Sequence, residues 1–131
     1  MTLATLRRLF LYDAWANRGA LRSIRAAAAP PPRAVAILAH LVAAGRLWLD
    51  RLLGVPSSVA VWPDLTPDQI ETALRDLEET WAAYLSRLEE RDLGRVIGYT
   101  NSKGQRFNIV LQSRVLELFS RIRGLLRNAP L

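Results

Sequence analysis

His40 is the only histidine in the 131-residue chain, and there is no cysteine. Together these two facts bound the side-chain chemistry. No thiol nucleophile, thiolate metal site or disulfide can be built. A lone imidazole can act as a metal ligand or a general base, or it can be a core residue satisfied by a neighbouring carbonyl or hydroxyl. His40 sits in the run Ile37-Leu38-Ala39-His40-Leu41-Val42-Ala43-Ala44-Gly45-Arg46-Leu47-Trp48. Ile37, His40, Leu41, Ala44 and Trp48 recur at the spacing of one helix face, so the ring is expected to point into the same core as they do. Periodicity leaves both roles open. In a core setting the imidazole needs a partner, expected among Asn17, Tyr12 and Asp13, because an unpaired buried donor or acceptor is costly.

Amphipathic helices must position this residue. A first helix is expected from about Thr2, a plausible N-cap, to Ala27, with Leu3, Leu6, Phe10, Ala14, Asn17, Leu21 and Ile24 on its inner face. Tyr12 and Trp15 flank that face. Pro30-Pro31-Pro32 ends this helix and forms a short rigid connector. The His40 helix should then run from about Arg33 to Leu53 and stop at Gly54 and Pro56. Val55 to Asp64 reads as a surface loop, containing Trp62-Pro63, long enough to fold over one end of a bundle.

The third helix has the clearest start in the chain. Thr66 is an N-cap, Pro67 takes the first helical position and Gln69 completes a capping box. Its stripe of Ile70, Leu74, Leu77, Trp81, Tyr84 and Leu88 alternates by four and three, as bundle helices do, and it should end near Glu90. Val96–Thr100 and Gln105–Ile109 flank Asn101-Ser102-Lys103-Gly104 and read as a hairpin with a four-residue turn. A last helix is expected from about Val110 to Arg127, with Leu111, Val115, Leu118, Ile122, Leu125 and Leu126 inside. The fold class is therefore all-α: a four-helix bundle with a short β-hairpin before the last helix, in one domain over residues 1–131.

Composition narrows the partners. Half the residues are hydrophobic, and a net charge of +6 comes almost entirely from arginine, with one lysine. The arginines are interspersed with acidic residues, which reads as a solvated mixed-sign surface more than a nucleic-acid footprint. No apolar run reaches the roughly 18 residues a membrane span needs. The N-terminus lacks a signal peptide's separate charged and apolar regions, so a cytoplasmic location is expected.

Several segments together resemble the DinB (DNA-damage-inducible) superfamily, also called DinB/YfiT-like proteins. Leu11-Tyr12-Asp13-Ala14-Trp15-Ala16-Asn17 is similar to its first-helix pattern of tyrosine, tryptophan and asparagine. His40, with Trp48 eight residues on and Leu52-Leu53-Gly54 closing the run, resembles its second helix. Trp81-Ala82-Ala83-Tyr84-Leu85 and the hairpin with Tyr99-Thr100-Asn101 and Gly104 continue the likeness, which covers about residues 3 to 112.

The resemblance implies a DinB-like four-helix bundle, often dimeric, holding a divalent metal on three histidines. Some members use that metal to activate a low-molecular-weight thiol for transfer or hydrolysis. His40 matches the first ligand. The resemblance places the other two four residues apart on the last helix, within a histidine-rich stretch that ends His-Arg-Gly-Gln in the family; with Arg127 aligned on that arginine, the histidine positions of the stretch carry Leu118, Ile122 and Leu126. Three protein donors are needed to hold zinc or nickel. Asp13, Asp50 and Glu117 are the carboxylates nearest in sequence terms, and Glu117 lies off the apolar face. The expectation is a site converted to packing: a non-catalytic bundle with no cofactor, binding a small molecule or a partner. Its pocket would be lined by His40, Ala44, Trp48, Trp15, Asn17, Ile122 and Leu126. Zinc or nickel would enter only if the family site survives, as the alternative of a metal-dependent thiol transferase or hydrolase requires. A homodimer is expected through the wide apolar surface of the first helix, at Leu9, Tyr12 and Trp15. An anion or nucleic-acid binder is the third reading, and the family's name, which refers to induction by DNA damage, lends it no support.

Overall fold

The structure, a computed structural model, describes residues 2–57 and 59–128, with side-chain surroundings as far as residue 120. In chain order it contains α1 (Leu3–Ala26), α2 (Pro32–Leu53), α3 (Pro67–Arg87), a 3-10 turn (Glu90–Asp92), β1 (Val96–Thr100), β2 (Arg106–Val110) and α4 (Leu111–Asn128). The protein is thus mostly helical, with a two-stranded antiparallel hairpin before the last helix. None of the described helices is long and apolar enough to cross a membrane.

The start and stop signals act as their chemistry dictates. Thr2 caps α1, its Oγ1 accepting from the Thr5 N–H at 3.2 Å. Thr66 and Gln69 form the reciprocal box at the start of α3: the Gln69 N–H donates to Thr66 Oγ1 at 3.2 Å, and the Thr66 N–H to Gln69 Oε1 at 2.9 Å. Gly54 closes α2 at φ 70°, ψ 26°, the left-handed conformation that costs a residue with a Cβ. Two boundaries move. The helix α2 begins at Pro32, with Pro31 as N-cap, because a proline at the first helical position lacks only an N–H that would be unpaired anyway. The third helix stops at Arg87, and the chain turns through the 3-10 segment, where the Glu89 N–H donates to Asp92 Oδ2 at 2.8 Å.

The chain divides into two compact units, residues 14–84 and residues 1–13 with 85–131. In the first, α1 and α3 run antiparallel: Arg18 meets Glu78 at 3.0 Å, and Arg25 meets both Asp68 and Glu71 at 2.7 Å. α2 meets α3 at a glycine. The Trp81 indole N–H donates to the Gly45 carbonyl at 3.3 Å, and a Cβ on Gly45 would lie 2.9 Å from Leu77 Cδ2. Arg46 fixes the same contact, with Nε 3.1 Å from Asp50 Oδ1 and Nη1 3.5 Å from Asp76.

In the second unit the Leu3 N–H donates to Glu90 Oε1 at 3.1 Å, Arg7 donates to the Leu85 carbonyl at 3.1 Å, and Phe10 packs on Phe119 with centroids 5.7 Å apart. The strands pair from Val96↔Val110 to Thr100↔Arg106 around the Asn101–Gly104 turn. A marginal two-stranded hairpin gains support at its base, where the Leu111 N–H donates to the Arg95 carbonyl at 2.9 Å.

Candidate functional site

The face of α2 that packs most deeply is Leu38, Ala39, Val42 and Leu49. Ile37, His40 and Leu41 lie beside it, half-buried. This corrects the expectation that His40 points into the core. Almost every residue from Ile37 to Ala44 is apolar, so more than one stripe fits the helical period. The small residue Gly45 decides between them by letting α3 approach. Ala44 and Trp48 are buried as expected, and the Arg51 guanidinium carbon stands 4.6 Å from the centroid of the Trp48 ring.

His40 is engaged by the loop between α2 and α3. Its Nδ1 lies 2.6 Å from the Val61 carbonyl, and its ring stacks on Trp62, with centroids 3.8 Å apart and planes 7° from parallel. The partner is therefore a loop carbonyl, not Asn17, Tyr12 or Asp13. A carbonyl can only accept, so Nδ1 carries the proton of the neutral ring and Nε2 carries the lone pair. Trp62 stays 62% exposed, so the stack clamps the loop to the edge of α2 and does not bury the indole.

An N–H donated from one ring nitrogen to a carbonyl is also how metal-bound histidines are oriented, with the other nitrogen on the metal. The donor set here does not fit such a metal. The chain has no second histidine and no cysteine, and no group of three His, Cys, Asp or Glu suited to a metal occurs among the described residues. Asp50 is buried and engaged by Arg46, while Glu117 is exposed and sits 3.3 Å from Arg114. Leu118 is half-buried on α4, whereas the side chains of Ile122 and Leu126 lie outside the described residues. Of the remaining expected lining, Asn17 is buried and Trp15 is 59% exposed.

Two features escaped the sequence reading. Trp62 was visible as an aromatic before a proline, but nothing in a loop's sequence sets which helix residue it meets. The other is the charged face that α1 and α3 share, where Arg18, Arg22 and Arg25 recur at the spacing of Glu71, Arg75 and Glu78. In comparisons with known proteins, no family, curated sequence or solved structure matches this chain.

Proposed function

We propose that this chain is a DinB-like four-helix bundle that works by binding a small molecule, without metal and without catalysis. The order of its motifs and of its elements, three helices, a hairpin and a fourth helix, supports the relationship. The observation that carries the functional reading is the state of His40. Its one proton donor is committed to Val61, its face is covered by Trp62, and no second imidazole or thiolate exists to complete a metal shell. The test is metal content by mass spectrometry on protein purified without a chelating column, with thermal melts in added zinc or nickel. The melting temperature should stay within error, since a ligand stabilises only through its binding to the native state. A saturable rise at micromolar zinc, abolished by His40→Ala, would restore the metal-dependent thiol transferase or hydrolase.

A homodimer is part of this proposal. Of the three residues expected to carry it, Trp15 is 59% exposed and Tyr12 39% exposed, whereas Leu9 is half-buried. Sedimentation showing only monomer at high micromolar concentration would remove it.

A further inference from the structure

Between α1 and α3, in the unit of residues 14–84, runs an open groove of about 380 Å³, in the size range of small-molecule sites. Its two ends are closed by ion pairs, Arg18 with Glu78 at 3.0 Å and Arg25 with Glu71 at 2.7 Å. Arg22 lies between the two arginines on α1, and Arg75 lies between the two glutamates on α3. In an antiparallel pair of helices this places Arg22 and Arg75 at the same level, one on each side of the groove. Leu21 and Leu74, both buried, close the floor beneath them.

These two are the guanidinium groups of the groove that the fold leaves without an acceptor. Arg18 is met by Glu78, and Arg25 by both Asp68 and Glu71. Glu71 gives Oε2 to Arg25, and its Oε1 stands 3.9 Å from Arg75, beyond hydrogen-bond distance. No group among the described residues accepts from Arg22 or pairs with it. Its Nη2 is 3.7 Å from where a Cβ on Gly19 would stand, so the guanidinium lies against α1 where the helix carries no side chain. Each guanidinium presents a planar fork of N–H donors.

We propose that this groove binds a small phosphate monoester, with the phosphate held between Arg22 and Arg75. A terminal phosphate carries three free oxygens and close to two negative charges at neutral pH, so it can fill both forks and neutralise both guanidinium groups. A carboxylate has two oxygens and one charge, which a single fork takes up. The ion pairs at the two ends suit a short ligand and not a polymer backbone running through. The volume exceeds what inorganic phosphate fills, leaving room for the organic part of the ester along the methylene stems of the arginines. The proposal rests on the reading that the protein acts by binding a small molecule, and it names the site and the ligand class.

The test is calorimetric titration of the full chain with phenyl phosphate, with phenyl sulfate, which keeps three oxygens but one charge, and with benzoate, which puts the ring on a carboxylate. Phenyl phosphate should bind, and the other two should bind about tenfold more weakly or worse, since each lacks a charge and benzoate an oxygen as well. Arg22→Gln and Arg75→Gln should each weaken phenyl phosphate by a similar factor, while circular dichroism melts stay unchanged because exposed arginines add little to stability. Arg33→Gln, on α2, removes the same charge outside the groove and should leave binding unchanged. No detectable phenyl phosphate binding at about 10 mM would overturn the proposal, as would phenyl sulfate or benzoate binding equally well, or an equal loss in Arg33→Gln. An oligothymidylate that binds more tightly than phenyl phosphate, and is lost in the same two variants, would overturn it in favour of a nucleic-acid backbone. Phenyl phosphate binding that both groove variants leave unchanged would overturn this site and keep the binding reading. The zinc titration tests that reading through His40, which takes no part in the groove.

Discussion

Trp62→Ala should release the loop that His40 holds, and the size of the effect can be worked from the geometry. The ring pair, 3.8 Å apart and nearly parallel, should be worth about 0.5–1.5 kcal/mol beyond the area it covers. The bond from Nδ1 to Val61 should add about 0.5–1.5 kcal/mol, nearer the low end because this carbonyl is partly in water. Freeing the loop returns conformational entropy, of order 1 kcal/mol for each residue released, which offsets part of the loss. The net cost of Trp62→Ala should therefore be about 0.5–2 kcal/mol, small beside a core truncation. The sharper measurement is the coupling between His40→Ala and Trp62→Ala in a double-mutant cycle of urea melts. It should come to about 0.5–1.5 kcal/mol, against the roughly 0.3–0.5 kcal/mol scatter of independent sites. Nitrogen-15 NMR of the single imidazole gives a second readout. In the neutral ring the proton should reside on Nδ1, and Trp62→Ala should shift the ring signals. Additive mutations, or a neutral ring protonated on Nε2, would refute the clamp.

Trp81→Ala should be among the costliest changes, at about 3–5 kcal/mol, since Trp81 is 2% exposed and tied to the Gly45 carbonyl; a loss below about 1 kcal/mol in denaturant melts would place the side chain elsewhere. Gly54→Ala should cost about 1 kcal/mol through backbone strain at φ 70°, with nothing near enough to clash, so a neutral result would mean that α2 ends differently. Burial pushes the Glu78 carboxyl above its ordinary 4.5, against the opposing charge and hydrogen bond of Arg18. The folded protein then holds this proton to higher pH than the unfolded chain does, so the stability it contributes is present below about 4.5 and is lost as pH rises through the raised value. Melting curves should show Glu78→Gln gaining on wild type across that window, and the opposite slope would mean that the pairing with Arg18 outweighs burial.

The sequence makes some of this fold legible and hides the rest for identifiable reasons. The start and the inner face of the third helix are legible because two independent signals agree there, although its end at Arg87 falls short of the expected Glu90. Thr66, Pro67 and Gln69 fix its start, and one unbroken stripe of Ile70, Leu74, Leu77, Trp81 and Tyr84 separates it from a polar face; all five are buried. The first helix is legible for the same reason, with Leu3, Leu6, Ala14, Asn17, Leu21 and Ile24 all inside. α2 fails this test because its apolar residues leave no polar face to set the rotation, and the deciding contact, Gly45 against Leu77 and Trp81, belongs to the tertiary packing. In α4 the helical period places Leu118 on the inner stripe after Leu111 and Val115, whereas Phe119 is buried and Leu118 half-buried. Adjacent apolar residues offer the helix two registers, and the larger ring, packed on Phe10, takes the interior. The chemistry of His40 was least legible, because it depends on a loop whose register no periodicity sets.

The clamp also accounts for a histidine at position 40 where a leucine would serve as well at the edge of a helix. The position asks for two things together: a flat face for the Trp62 indole, and a donor aimed at the Val61 carbonyl from that same ring. Phenylalanine has the face without the donor, and glutamine has the donor without the face. His40→Phe should keep most of the coupling to Trp62 and lose only the hydrogen bond, at about 0.5–1 kcal/mol, because Val61 is 47% exposed and water can reach its carbonyl. His40→Gln should lose the coupling and leave the Val61 position little changed. If instead His40→Phe removes the coupling to Trp62 while His40→Gln preserves it, the stack contributes nothing. Position 40 would then be held by its hydrogen bond alone.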